Sequence, residues 1–499
     1  MRSMAVTGLA FVVSYGISLV LTPYLTERVG TEAYGFVSLA RQCAQYAAII
    51  TMTLDSFAAR HIAMEFHQGN KKRANVFFSS VFFGDLVVAT AILSAACLGI
   101  FFLDRLLQIS PELVGDVRML FFLVFIAFWV TTASGAFSSS AYIKNKLDIV
   151  GIFKGFSYLA EALVLLLFYA WFPARVFYVG IGLGAAALVM AAANLWICRK
   201  NTPELTVKRS DFSPGAVKQL VVDGVWTSVN SLGELLNSGL DLLICNLMLY
   251  PAAMGQMAVA KTVYTIFGSI FVVISQAFQP MLLNSYARGK QSDFLRELRF
   301  SMKISGMFSN IGFAGFAALG LAYYRLWLPG QDGELLYRLT LITIATVIPG
   351  GPMQPLYYIY TLTVKKKFPC FMTILGGIFN VAGMYLLISY TDMGIYAVAW
   401  TTAVVMAFIN FCSNPLYMAH VLKLPWFTFY PGILRNVVSC GLLTAVFRGF
   451  AAVYMPRSWG ALGVCIVFYT GVGAILHLLV VCCRKDWEKL RSFIWKRKG

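Results

Sequence analysis

The chain has 499 residues, 59% of them hydrophobic and 12% charged, with a mean hydropathy of +0.73. A soluble protein of this length could not hide so much apolar surface, so water-soluble classes are excluded and a polytopic membrane protein is expected. The formal net charge of +18 could suit a nucleic-acid binder, but the cations lie in connectors between apolar runs, so no nucleic-acid partner is expected.

Apolar runs long enough to cross about 30 Å of hydrocarbon fall at 5–25, 35–54, 76–100, 118–140, 151–171, 176–197 and 222–247 in the first half of the chain. They continue at 253–279, 302–323, 337–360, 369–390, 395–415, 433–453 and 460–482. The fold expected is all-α with about fourteen transmembrane helices. Met1-Arg2-Ser3 leads straight into the first run with no small-residue cleavage site, so that run is expected to stay as a span.

The second run carries Arg41 into apolar surroundings, about 10 Å below its outer end at 1.5 Å per residue. The third holds Asp85 and the fifth Glu161, two further embedded acids that could serve as partners for Arg41, Lys154 or the backbone. The fourth is locally weak at Thr131-Thr-Ala-Ser-Gly135-Ala-Phe-Ser-Ser-Ser140, and Gly135 is a candidate gating hinge. The seventh is the most polar: Asp223, Asn230, Glu234, Asn237 and Asp241 recur at helical steps, which places them on one stripe. Such a stripe lines either a hydrated cavity or a helix–helix contact, because lipid cannot face it. The eighth run carries Lys261, and the tenth contains Pro349-Gly-Gly-Pro352-Met-Gln-Pro355. Its three prolines remove helical hydrogen bonds and mark a static kink or a second gate.

Connectors alternate between basic and nearly neutral. Arg60, Lys71, Lys72 and Arg73 share one side with Lys144, Lys146, Arg288, Lys290, Lys365 to Lys367 and the basic tail at 484–499. The positive-inside rule places that side and both termini in the cytoplasm. No connector is large enough for a catalytic domain, and there is no phosphate-cradling glycine loop, nucleophile triad or zinc set, so no enzymatic activity is expected. The four histidines show no metal spacing, with His61 and His67 read as part of a basic inner loop. The ten cysteines lie in spans or at their basic ends, so no disulfide framework is implied.

Two stretches 220 positions apart (261 − 41) read alike: Gly35-Phe-Val-Ser-Leu-Ala-Arg41 and Gly255-Gln-Met-Ala-Val-Ala-Lys261. The same offset aligns Gly69 with Gly289 and lays Lys144 and Lys146 near Lys365 to Lys367. The chain therefore reads as two parallel six-helix lobes, 1–200 and 222–420, joined by a cytoplasmic linker at 201–221. Two more helices follow within 421–483, ahead of the tail. Duplicated membrane halves commonly enclose a substrate site at their interface. Arg41 and Lys261 at matched depth would trap an anionic cargo there. Asn230 and Asn237 are candidate substrate contacts, and Glu234 and Asp241 could bind Na+ or carry a proton.

The stretch from Thr22-Pro23 through Val29-Gly30-Thr-Glu-Ala-Tyr34-Gly35 resembles the start of the polysaccharide flippases of the MOP superfamily. Met254-Gly255 through Pro280 with Tyr286-Ala-Arg-Gly289, and Asn380 followed by Gly394-Ile-Tyr-Ala397-Val-Ala399-Trp-Thr401, extend the resemblance across the first twelve spans. The resemblance implies a MATE-like fold in a bacterial cytoplasmic membrane. It also implies a lipid-linked oligosaccharide as cargo, as in Wzx-type O-antigen, capsule or exopolysaccharide export, with membrane lipids and polysaccharide assembly proteins as partners. The lipid II flippase branch is also similar. It places further arginines in its first helix, where this chain has no charge between Arg2 and Glu27. That branch's sodium site implies Asp241, Asn380 and Thr401 as matching positions, so Na+ or H+ is the coupling ion expected and no organic cofactor is. A multidrug or cation antiporter of the same superfamily is the alternative, kept open by the acids of the seventh span.

Overall fold

The computed structural model describes residues 2–363, 367–483 and 486–487, and among these the regular structure is helical, with no strand. The principal helices of the first half are α1 (Arg2–Arg28), α2 (Thr31–His67), α3 (Lys71–Phe101), α4 (Val114–Ala133), α5 (Leu147–Trp171), α6 (Tyr178–Asn201) and α7 (Pro214–Ser238). Those of the second are α8 (Pro251–Gln276), α9 (Gln291–Trp327), α10 (Gly333–Ile344), α11 (Lys367–Tyr390), α12 (Ile395–Phe408), α13 (Tyr430–Val453) and α14 (Trp459–Val481). Eleven segments of the described residues are long and apolar enough to cross a membrane. The expected runs 35–54 and 337–360 are not among them, and 5–25 lies in α1, whose side chains before residue 15 lie outside the described residues. In α2 the polar residues Arg41, Gln42 and Gln45 dilute the apolar run, and α10 stops after 12 residues before its prolines.

Helices reach beyond the apolar runs that nucleate them. α2 continues to His67, so His61 and His67 lie on helix rather than in a loop. His61 stacks on Phe77 of α3 with ring centroids 5.2 Å apart. The 201–221 segment is likewise no free linker. It is helical from Pro214 onward, and the stretch before Pro214 lies along α3. There Asn75 Nδ2 donates to the Glu204 carbonyl, the Thr206 N–H donates to Asn75 Oδ1, and the Lys208 and Ser213 N–H groups donate to Ser79 and Ser80. These bonds satisfy backbone that no regular element would otherwise pair.

By packing, the described chain forms two compact units, Met1–Ala258 and Val259–Gly499. The boundary falls within α8, and α7 lies along α2 in the first unit. Within that unit Leu54, Ala58 and Ile62 of α2 meet Phe77, Phe78 and Val81 of α3 and Leu220 of α7. Polarity is ordered as a lipid solvent requires: α5 exposes Leu159, Leu163 and Leu166 and buries Ser157 and Glu161. Within the second unit α9 is the central helix, packed by α13 and α14. Fully buried His477 of α14 sits 2.9 Å from Ser439 Oγ through Nδ1 and 3.2 Å from the Lys303 carbonyl through Nε2. The carbonyl can only accept, so Nε2 carries the proton and Nδ1 accepts from Ser439.

The 220 offset recurs in the element boundaries. Helices start at Thr31 and Pro251 and at Lys71 and Gln291, two pairs at the same spacing (251 − 31, 291 − 71). Gly69 and Gly289 both take left-handed backbone, with φ of 81° and 72°, in the turns ahead of α3 and α9. A 3-10 turn interrupts the chain at Gly135–Ser138 and again at Gln354–Tyr357. Both weak segments expected from sequence are therefore real breaks in helix.

Candidate functional site

Arg41 projects from α2 toward α5, where its Nη2 lies 2.5 Å from Glu161 Oε1. The pair is asymmetric in exposure: the Arg41 side chain is 40% exposed and that of Glu161 10%. A guanidinium has five N–H donors, and one carboxylate oxygen leaves several free to meet a second anion. Of the two roles open to this cation, the one as a carboxylate's partner is occupied here. Lys261 lies on α8 in the second unit, half-buried, and its carbonyl accepts from Thr265 Oγ1 at 2.8 Å.

The stripe on α7 divides. One edge is a seam with α2: Asp223 Oδ2 meets His61 Nε2 at 2.8 Å, Ser228 Oγ meets Thr53 Oγ1 at 2.6 Å, and Tyr46 OH donates to the Gly239 carbonyl. Gly224 makes that seam possible, because a Cβ there would overlap the Thr53 carbonyl oxygen. The other edge is open. Glu234 is exposed and accepts from Asn230 Nδ2 at 2.8 Å, one turn back. Asn237 is buried and donates to the Gly233 carbonyl, and Asp241 is buried at the start of the short helix Asp241–Met248. The sequence left cavity and helix contact as alternatives; α7 serves a helix contact on one edge and leaves Glu234 open on the other.

In the second unit Asn380 of α11 is fully buried and bonds Thr402 of α12, with Nδ2 to Oγ1 at 3.2 Å. Thr401 of α12 is buried and donates to the Ala397 carbonyl at 2.7 Å. Of the gating candidates, Gly135 opens the 3-10 turn after α4, Pro352 lies inside the helix Val347–Met353 and Pro355 within the turn that follows. The Pro349 side chain, Lys365 and Lys366 lie outside the described residues, as does the tail apart from Asp486 and Trp487. Sequence reasoning missed the polar set around Pro355. There Tyr357 OH donates to Asn410 Oδ1 and Tyr360 OH to Asn414 Oδ1 at 2.9 Å, across a π-helical turn at Ile409–Ser413. Asn410 and Asn414 four residues apart in an apolar span were the available signal. It also missed Asp55, whose carboxyl converges with that of Asp85 on Gly135.

The model of the family described as "Polysaccharide biosynthesis protein" matches residues 1–285, more than half of the chain. The chain belongs to the polysaccharide biosynthesis protein family. It is 24% identical over 490 residues to the "Uncharacterized membrane protein EpsK" of Bacillus subtilis (strain 168), covering 98% of this chain and 97% of that one. Its fold is similar to that of the lipid II flippase MurJ in an inward closed conformation, with a TM-score of 0.70 at 14% identity over 95% of this chain and 98% of that one. It is also similar to an inward-facing multidrug resistance MATE family transporter of the MOP superfamily, with a TM-score of 0.62 at 15% identity over 83% and 95%. The chain is thus a multi-pass membrane protein with the MurJ and MATE fold.

Proposed function

We propose that the protein is a flippase that moves a polyprenyl-pyrophosphate-linked oligosaccharide across the bacterial cytoplasmic membrane for surface polysaccharide synthesis. It works by alternating access, with helices 1–6 and 7–12 as its two lobes and no covalent chemistry of its own. Family membership supports the polysaccharide context. The observation that carries the reading is a membrane-embedded guanidinium, Arg41, that is 40% exposed with donors to spare beside Glu161. Lys261 stands at the equivalent repeat position and joins it in gripping the pyrophosphate, while Asn230 and Asn237 contact the head group. An ion gradient, Na+ or H+, drives the cycle through Glu234, Asp241, Asn380 and Thr401.

Charge reversal tests the clamp. Arg41→Glu or Lys261→Glu should abolish surface polysaccharide and accumulate lipid-linked repeat units on the inner leaflet, while Lys261→Arg keeps partial export at equal protein level. Normal export by well-expressed reversal variants would overturn it. The openness of Glu234 on α7 favours the second reading, an antiporter of cationic compounds. In that case Glu234→Gln would remove drug resistance and leave the polysaccharide intact.

A further inference from the structure

Asp85 of α3 is fully buried, and neither of its carboxylate oxygens meets an N–H or O–H donor among the described residues. The acidic neighbour that acts on it is Asp55 of α2, an exposed residue whose Oδ1 converges with Asp85 Oδ2 on Gly135. Two ionised carboxylates are both acceptors and cannot bond each other, whereas one proton between them makes one a donor and satisfies the contact. Buried polar atoms are nearly always paired, so an empty pair at this spot would be doubly costly: an unsatisfied acceptor and two like charges in low dielectric.

The break after α4 is built around the pair. A Cβ added to Gly135 would lie 3.9 Å from Asp55 Oδ1 and 3.9 Å from Asp85 Oδ2, so both acids converge on the glycine that opens the 3-10 turn. Among the described residues no cation acts on either acid. Further along α2, His61 is held by Asp223 of α7, and Glu234 of α7 is engaged by Asn230. On α4 the ionisable residues are Asp116 and Arg118 near its start, paired with Arg175 and Asp104. The described residues contain no cluster of three or more His, Cys, Asp or Glu able to hold a metal. Two converging carboxyls suffice for a proton, which one donates and the other accepts.

We propose that Asp55 and Asp85 form a proton-binding site that holds one proton at neutral pH, loaded from water through Asp55 and stored against Asp85. Loading forms one O–H bond and consumes one proton from solvent, with no other reactant. As the seat of a coupling proton, the site rests on the transporter reading; its occupancy does not.

Infrared spectra of the purified protein in lipid nanodiscs, compared in H2O and D2O at neutral pH, test the occupancy. The wild type should show a deuterium-sensitive protonated-carboxyl band. Asp85→Asn and Asp55→Asn should each lose it, because the amide supplies the missing donor and the remaining acid ionises. No such band in the wild type, or its survival in both variants, would overturn the proposal. Where an Asn variant fails to fold, Asp85→Glu keeps the carboxyl and must move the band, and an unmoved band would be equally fatal. None of these readouts involves export, so a negative result leaves the flippase reading standing, and failure of the flippase reading leaves this site untouched.

Discussion

At the scale of single residues, the chain places its membrane-embedded charges in unequal surroundings, and the inequality predicts what substitution does. Arg41 keeps part of its hydration, whereas Glu161 is 10% exposed and depends on the guanidinium. Removing the partner of a buried charge costs more than removing a half-solvated one, since the survivor is left without compensation. Arg41→Ala should therefore destabilise the protein by about 1–3 kcal/mol, and Glu161→Gln by less than about 1 kcal/mol. Thermal unfolding in detergent would read both, and the double variant should be milder than Arg41→Ala alone. Equal losses from the two single changes would show that the pair is not the asymmetric one described. Arg41 was legible in the sequence because a cation inside an apolar run has few explanations. Its partner was not, since Glu161, Asp85 and the backbone were all equally compatible with one dimension. Asp55 stands just past the 35–54 run, where hydropathy gives no reason to link it with Asp85.

At the scale of elements, contacts depend on backbones that approach closely. A Cβ on Gly35 would come within 2.8 Å of the Gly255 backbone nitrogen, so the two glycines matched by the 220 offset meet at one crossing of α2 with the start of α8. Gly224 plays the same part between α7 and α2. Gly224→Ala should force α7 off α2, breaking the Thr53–Ser228 contact and lowering the unfolding temperature. Gly184→Ala, where nothing lies within 4 Å of the added carbon, is the matched control and should be neutral. The connector before α7 responds to acid. Its own backbone N–H, then Lys71 Nζ at 3.3 Å, holds the Glu204 carboxyl below its ordinary 4.5. A depressed carboxyl stabilises the folded arrangement above its unfolded value, and that contribution is lost as pH falls through the folded one. Proteolysis within 202–213 should therefore quicken below about pH 4.5, and this acid response should weaken in Lys71→Ala. Helix existence was readable throughout, while helix ends were not. α2 runs to His67 and α7 begins at Pro214 because packing on α3 pairs backbone that composition alone assigned to loops.

At the scale of the whole molecule, the alternation of basic and neutral connectors sets the orientation expected in the membrane. Reporter fusions after Arg209 and at the C terminus should both report cytoplasm, and a periplasmic signal at either would invert every depth assigned above. The sequence by itself determined the membrane class, most of the spans and the duplication. Hydrocarbon thickness and the cost of burying charge act on local composition, and a repeat is written directly into residue order. Only the tertiary structure decided which polar groups meet. Arg41 and Glu161 are 120 residues apart, Thr53 and Ser228 are 175 apart, and Asn380 bonds Thr402, 22 residues on and outside its own helix. One step along a helix turns a side chain by about 100°, so a choice between neighbouring residues is settled by how two helices are rotated against each other, which no single stretch of sequence contains.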